Sequence, residues 1–458
     1  MSRQFTTRAQ VSGYRFGLAR AEHALVRRDA RMLHDPLRSQ WRALMAGAVI
    51  ALLVTAGAGL YGVIRPQPTV GDARLVVADS GALYVLDDGV VHPVPNLASA
   101  RLVLGEPAVP QRVSQRSLDA YPRGAALGVA GAPARLPAGG PAGWTVCDDP
   151  AAGTAVLAGR PQVSRPRPGD AALVSTAGQI WLLYRMPADA EAGGGETVVR
   201  ARVDPAETAV LRALHLEQTP VRPVSAALLN TVPAQAPLTL PGIDGRGRPG
   251  PGGLAGHPVG SVVATLGVDD APSYFVVLAD GVQPVGAVAA DALRRAADTP
   301  QVQVPRLAPG TLTALPVRHR LPLDSFPAAI PQPAGPGEVL CWSRLPSAGG
   351  GTDDRLIVAG SIPVPDGGAV RRLVSADGGG PGLDGLYLRP GSGYRVRSGG
   401  EHFIGDDGVR YRLTGADTAA VLGLAEVPQE APWPVISLLP AGPALSREAA
   451  LTARDAPG

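Results

Sequence analysis

The stretch from Ala43 to Ile64 limits what this chain can be more than any other. It reads ALMAGAVIALLVTAGAGLYGVI, 22 residues without a charge, between Arg42 and Arg65-Pro66. At about 1.5 Å per residue a helix of that length reaches about 33 Å, which matches a bilayer's hydrocarbon core. A core helix of a water-soluble domain would be shorter and would keep a polar face. The stretch therefore predicts one membrane span, with 42 residues before it and 394 after it. A cleaved signal peptide, of the twin-arginine kind given Arg27-Arg28, is the competing reading. Its apolar region would be only about 7–15 residues long, and a lead of this length does not suit it.

Charge sets the expected orientation. Nine arginines precede the span against Glu22, Asp29 and Asp35, a balance of +6. Arginine-rich flanks stay in the cytoplasm, so the short arm is expected inside and the long part outside. The whole chain carries +3, which leaves −3 for everything beyond the arm. A weakly acidic outer part without a basic stripe does not suit a nucleic-acid partner. The two cysteines, Cys147 and Cys341, both lie in that outer part. An oxidising compartment makes a disulfide the default reading, with two separate buried thiols as the alternative.

The arm reads as an amphipathic helix, with Tyr14, Leu18, Ala21, Leu25 and Met32 on one stripe interrupted by Arg28. Arg15, Arg20, Arg27 and Arg31 occupy the opposite face and suit either anionic headgroups or a protein partner. Asp35-Pro36 reads as an N-cap with proline at the first helical position, opening a second helix that runs through the membrane. Within the span Gly47, Ala51, Thr55 and Gly59 recur every four residues, a small-residue row that allows close helix packing. The abundance of Ala and Gly throughout the chain is the plainer explanation of that row.

Beyond Arg65 the pattern changes to short strands and turns, so the fold class expected is a mixed α/β (α+β) outer part behind a single span. Leu83–Leu86, the turn Asp88-Gly89 and Val90-Val91 read as a hairpin, followed by a helix near Asn96–Leu104 and a strand near Arg112–Ser114. The order returns at Tyr274–Leu278, Asp280-Gly281, a helical run to Ala297, and Gln301–Pro305. It returns again at His402–Ile404, Asp407-Gly408, Asp417–Leu424 and Pro434–Leu438. A looser copy runs through Gln179–Tyr184, a tip at Gly193–Gly195, Val198–Val203, Pro205–Leu214 and Val221–Ser225.

These four units have no constant period, so the chain is not a solenoid. Each cysteine falls between two units and beside a tryptophan, in Trp144–Cys147 and Val339–Trp342. Two similar halves meeting in a shared central β-structure, in a quasi-two-fold arrangement, are the expectation. The boundaries read are 1–42 arm, 43–64 span, 72–125 first repeat, 126–170 central segment and 171–237 second repeat. They continue as 238–267 Gly/Pro-rich connection and central segment, 268–328 third repeat, 329–400 central segment, 401–446 fourth repeat and 447–458 disordered tail.

Catalytic motifs are scarce. Gly245–Gly250 matches G-x-G-x-x-G, but Pro241 precedes it and Pro249 lies inside it, so neither the strand nor the helix of a dinucleotide site is expected. A P-loop needs a lysine for the β- and γ-phosphates, and all 42 basic residues are arginine. The pairs Asp148-Asp149, Asp353-Asp354 and Asp406-Asp407 lack the alternation of a calcium loop and read as turns. His257 and His402 have no neighbours at metal-ligand spacing. No catalytic, cofactor or metal residue is expected.

Three blocks near the N-terminus carry a family resemblance: Thr7–Phe16 (TRAQVSGYRF), Glu22–Asp29 (EHALVRRD) and Arg31–Arg38 (RMLHDPLR). They resemble the start of the EccB family of the type VII (ESX) secretion machinery of actinobacteria. That resemblance implies a structural subunit of an inner-membrane complex, single-pass, with a periplasmic central domain flanked by four repeats like phage-lysin cell-wall-binding modules. It implies as partners a polytopic channel subunit, an FtsK/SpoIIIE-like ATPase, an EccE-type subunit and a membrane-anchored protease, besides membrane lipid and the cell wall. The family is often labelled ATPase, which makes ATP hydrolysis the rival reading and envelope binding a third.

Overall fold

The computed structural model describes residues 6–28, 30–31, 36–64, 70–137, 139, 143–163, 170–187, 196–267, 271–297, 301–334, 339–347, 351–424 and 427–453. Met32, Asp35 and the tip Gly193–Gly195 lie outside them. The chain divides into two units, Met1–Gly71 with Arg112–Ala120, and Asp72–Gln111 with Tyr121–Gly458.

The first unit holds two long helices. The arm helix, Arg8–Arg27, opens with a capping box: the Thr7 hydroxyl accepts from the Gln10 N–H at 3.4 Å, and the Gln10 side chain accepts from the Thr7 N–H at 2.9 Å. It stops at Arg28, which turns left-handed (φ 55°) and donates its N–H to the Ala24 carbonyl at 2.8 Å. Tyr14, Leu18, Ala21 and Leu25 share the helix, whereas Arg31 lies past its end. The second helix, Pro36–Ile64, starts on a proline, tolerated there because a first-turn N–H has no intrahelical partner. Its segment Ser39–Tyr61 is long and apolar enough to cross a membrane, and none of it is buried against the chain.

The second unit is built on a six-stranded sheet. In spatial order its strands are Thr352–Ala359, Val339–Pro346, Trp144–Asp149, Gly153–Ala158, Gly385–Tyr387 and Arg371–Arg372. All neighbours are antiparallel except Gly153–Ala158 with Gly385–Tyr387. At its centre Cys341 stands opposite Cys147, and Trp342 opposite Val146. Side chains alternate across the pleat. Trp144, Val146, Leu340 and Trp342 enter a large core on one face, while Cys147, Cys341, Leu157 and Tyr387 form a smaller cluster on the other.

Four three-stranded antiparallel meanders surround this sheet. They run Leu75–Val77, Leu83–Asp87, Val90–Val94; Ala172–Thr176, Gln179–Pro187, Glu196–Val203; Val262–Leu266, Pro272–Leu278, Gly281–Val285; and Gly393–Arg397, Glu401–Gly405, Arg410–Leu413. A helix follows each: Leu97–Leu104, Thr208–Ala213, Ala287–Arg295 and Thr418–Val421. The first and fourth meanders share one core, with Leu75, Val85 and Leu102 against Phe403, Leu422 and Leu445. The second and third share another, with Leu182, Tyr184 and Leu214 against Val262, Val276 and Leu293.

Several local readings change. Val262–Leu266 and Gly393–Arg397 belong to meanders, although the sequence placed the first in the Gly/Pro-rich connection and central segment 238–267 and the second in the central segment 329–400. Pro434–Leu438 is not a strand: Trp433–Ile436 is a helical turn whose proline sits where no N–H is needed, and the strand is Gln429–Glu430. Arg112–Ser114 shifts to Gln111–Arg112, and Gln301–Pro305 forms no strand, a single bridge following it at Arg306. The residues after Ser446 do not simply fray, because Ser446 caps a helix at Arg447–Leu451 and Ala450 is buried. Asp148-Asp149 and Asp353-Asp354 lie in strands rather than turns.

Candidate interaction surfaces

The arm places its apolar residues in the open. Tyr14, Leu18 and Leu25 are 72%, 54% and 83% exposed, and Phe16 and Val26 are exposed beside them. Arg27 lies in the last helical turn and Arg28 caps it, so two guanidinium groups meet the negative end of the helix dipole. In the span, the row Gly47, Ala51, Thr55 and Gly59 lies on one continuous helix. The Thr55 hydroxyl donates to the Ala51 carbonyl at 2.8 Å, which satisfies it within the helix. A Cβ built at Gly47 or Gly59 meets nothing, so that face is open to another helix.

In the outer unit the sulfurs of Cys147 and Cys341 are bonded, with Cα atoms 4.0 Å apart, and both residues are fully buried. The Thr145 hydroxyl and Ser343 hydroxyl, 2.8 Å apart, make a second cross-strand tie two residues along. Gly245–Gly250 forms turns, and the following elements are a short 3-10 turn at Gly252–Leu254 and a strand, so no helix N-terminus addresses it. The wider Gly/Pro segment is nonetheless packed, with Ile243, Leu254 and Val259 buried.

One buried polar site escaped the sequence reading. Asp354 is 1% exposed and accepts two bonds from Arg344, Nε to Oδ1 at 2.7 Å and Nη2 to Oδ2 at 2.6 Å. Thr197 of the second meander donates to its Oδ2 at 2.8 Å. Arg344 also lies over the Trp342 ring at 5.1 Å. The antiparallel pairing of Val339–Pro346 with Thr352–Ala359 puts Arg344 directly opposite Asp354. Asp384, also buried, accepts from the Thr154 and Gly378 N–H groups at 2.7 and 2.5 Å. These carboxylates are fully engaged in holding the fold. Among the described residues no group of three His, Cys, Asp or Glu is arranged to hold a metal.

His402 is buried against Trp433, ring centroids 5.7 Å apart, and Arg410 stacks on the same tryptophan at 5.0 Å. Burial, with help from Arg410 and Arg412, holds the imidazole below its ordinary pKa. Burial and the neighbouring Asp407 push the Tyr411 hydroxyl up to about 12.

Comparison with known proteins decides what these surfaces belong to. A family model described as type VII secretion system ESX-1, transport TM domain B, matches residues 3–457. The chain belongs to the EccB family. It is 34% identical over 480 residues to the ESX-1 secretion system ATPase EccB1 of Mycobacterium tuberculosis, covering 99% of this chain and 96% of that one. It is 35% identical over 488 residues to the ESX-3 secretion system ATPase EccB3 of Mycolicibacterium smegmatis, covering 99% and 92%. Its fold is similar to a chain of an intact ESX-5 inner membrane complex, with a TM-score of 0.69, 32% identity and coverage of 100% and 97%. It is also similar to EccB3 in a dimer from the ESX-3 core complex, with a TM-score of 0.65, 30% identity and coverage of 83% and 100%.

Proposed function

We propose that this EccB-family chain is a structural, membrane-anchored subunit of a type VII secretion complex, scaffolding it on the periplasmic side. The observation that carries the reading is the arm. A helix with an intact capping box and an exposed apolar stripe is more than an anchor requires. It suits contacts with the cytoplasmic parts of other ESX subunits, while the span packs on a neighbouring helix through its small-residue row. The N-terminus lies in the cytoplasm by the arginine bias. The partners are a channel subunit, an FtsK/SpoIIIE-like ATPase, an EccE-type subunit and a membrane-anchored protease.

The outer unit is four copies of one module related by a quasi-two-fold axis through the cysteine pair. Two hairpins, Trp144–Ala158 and Val339–Ala359, flank that axis. Each module's third strand makes an isolated parallel bridge to a returning segment, at Val91 with Arg123, Arg200 with Ala234, Val282 with Val317 and Arg410 with Ala441. The exchange of the first module with the third and the second with the fourth also carries one shared core onto the other.

ATP hydrolysis is the rival that the relatives' names raise, although without lysine any phosphate cradle would have to be built on arginine and backbone. Binding of the modules to cell wall is compatible with scaffolding. The deciding experiment deletes Thr7–His34 and keeps the rest. The shortened chain is expected to insert, fold and form its disulfide yet fail to co-purify with the channel subunit and the ATPase. Wild-type recovery of both partners would move assembly to the outer unit. ATP turnover by the purified full-length protein would overturn the non-enzymatic reading.

A further inference from the structure

We infer that the second and fourth meanders each carry a notch for a phosphate group, between two arginines that stand two residues apart on the third strand. In each meander that strand bridges to a returning segment, at Val91, Arg200, Val282 and Arg410 in chain order. Two residues further on stand Pro93, Arg202, Pro284 and Arg412. Arginine therefore fills both places in the second and fourth meanders and neither place in the first and third.

The fourth meander shows why such a pair calls for an anion. Its strands present two faces. On one, arginines meet acids: Arg395 pairs with Glu401 at 2.6 Å, and Arg397 with Glu430 at 3.5 Å. On the other, Arg410 lies over Trp433 at 5.0 Å, and Arg412 stands opposite His402. Neither of these guanidinium groups has a hydrogen bond or an ion pair among the described residues, and the Arg410 Nε is buried without an acceptor. The acids of the adjoining turn are engaged elsewhere, Asp406 by Arg135 at 3.3 Å and Asp407 by the Val409 N–H at 3.0 Å. Burial holds Arg410 below its ordinary pKa, and no carboxylate opposes it. Arg101, lowered by burial in the same way, has acceptors: its Nε donates to the Ala108 carbonyl at 3.1 Å and its Nη1 to the Leu422 carbonyl at 2.6 Å. Arg410 has none.

The second meander repeats the arrangement with different neighbours. Arg200 lies over Trp181 at 5.1 Å, its Nε is again buried without an acceptor, and burial again lowers its pKa. Its Nη1 donates to the Asn230 side chain at 3.1 Å, which brings no charge. Arg202 is exposed and stands opposite Trp181. Asp204, the next residue on that face, turns its Oδ1 to the Ala206 N–H at 2.9 Å.

Spacing and charge select the ligand. Residues two apart on a strand share a face at about 6.7 Å. Two guanidinium groups so placed carry two positive charges and close on one tetrahedral anion from both sides. A phosphate ester near neutral pH offers about −1.5 to −2 charges and three strong acceptor oxygens. A carboxylate carries a single charge, and one guanidinium fork fills it. The indole holds the inner guanidinium by its face, which leaves the N–H groups at its edge for the anion.

The test is equilibrium dialysis of the full-length protein in detergent at low salt, with radiolabelled inorganic phosphate, glucose 6-phosphate and glucuronate. Two phosphate groups are expected per chain, bound at least about tenfold more tightly than glucuronate and less tightly as salt rises. Arg410→Gln with Arg412→Gln should leave one site, Arg200→Gln with Arg202→Gln should leave the other, and all four changes together should leave none. Thermal unfolding without phosphate checks that each variant folds. If a double variant does not, the changes at exposed positions, Arg412→Gln and Arg202→Gln, must each weaken one of the two sites about tenfold. Tighter binding of glucose 6-phosphate than of free phosphate would show that the notch takes a sugar-borne group, and equal or weaker binding that it takes the phosphate alone. No binding of either, glucuronate binding as tightly as phosphate, or two undiminished sites in the variants overturns the proposal.

Discussion

Two side chains in the outer unit make their energetic roles measurable. Asp354 is buried and satisfied by Arg344 and Thr197 from three directions. Removing one partner of a buried pair leaves the other charge uncompensated, which costs about 3–5 kcal/mol. Asp354→Ala is therefore expected to lower the unfolding free energy of that unit, measured by urea titration, by that amount. A loss below about 1 kcal/mol would mean that water reaches Arg344 freely. His402 provides a pH readout. Burial first, then Arg410 and Arg412, depress its folded pKa, and the Gly400 backbone opposes them only in part. The unfolded imidazole titrates near about pH 6.5. In the folded state it resists protonation, so its stabilising contribution is complete above about pH 6.5 and is lost as pH falls through the folded value. Wild type should lose more stability than His402→Gln between about pH 7.5 and pH 5. Parallel curves for the two proteins would refute it.

At the scale of elements, the arm shows why some structure is legible and some is not. Thr7→Ala removes the hydroxyl half of a capping box, worth about 1 kcal/mol, and should lower arm helicity by circular dichroism. Leu18→Asp with Leu25→Asp keeps the helix but alters its exposed stripe, and should reduce recovery of partner subunits without reducing membrane insertion. The spacing of Tyr14, Leu18 and Leu25 was readable because helical periodicity is local. The stop at Arg28 was not, because a left-handed arginine has no sequence signature comparable to glycine. The same division holds outside. Asp88-Gly89 marks its hairpin unmistakably, whereas Gly393–Arg397 and Val262–Leu266 become strands only through partners that the local pattern does not name. The strands Trp144–Asp149 and Val339–Pro346 pair side by side with Cys147 opposite Cys341, and what pointed to it was the place of each cysteine between two units and beside a tryptophan. The opposition of Arg344 to Asp354 needed the strand register to be known first.

For the whole molecule, the chain closes on itself in two ways. The disulfide spans 194 residues, and in the chain-entropy account a loop of that size is worth about 5 kcal/mol. The second closure is the core shared by the first meander and the last residues of the chain. Leu445 pairs as a parallel bridge with Leu413, and its N–H donates to the Arg412 carbonyl at 2.8 Å. The helix that follows, capped by the Ser446 hydroxyl accepting from the Ala449 N–H at 3.1 Å, buries Ala450 in the core that also holds Leu75, Leu102 and Leu104. Arg447 packs over Gly105, just past the end of the first meander's helix. A truncation after Ala444 therefore removes a fully buried leucine and alanine from a core assembled from both ends of the outer unit. Its cost should be about 3 kcal/mol, in the range of a large-to-small core substitution. The damage should be local, because the second and third meanders have a separate core. Hydrogen exchange is expected to speed up in Leu97–Leu104 and Arg410–Leu413, and to stay unchanged in Ala172–Val203 and Val262–Val285. Uniform acceleration would show that the outer unit unfolds as one body. No acceleration at all would show that the terminal helix adds nothing to the core it enters.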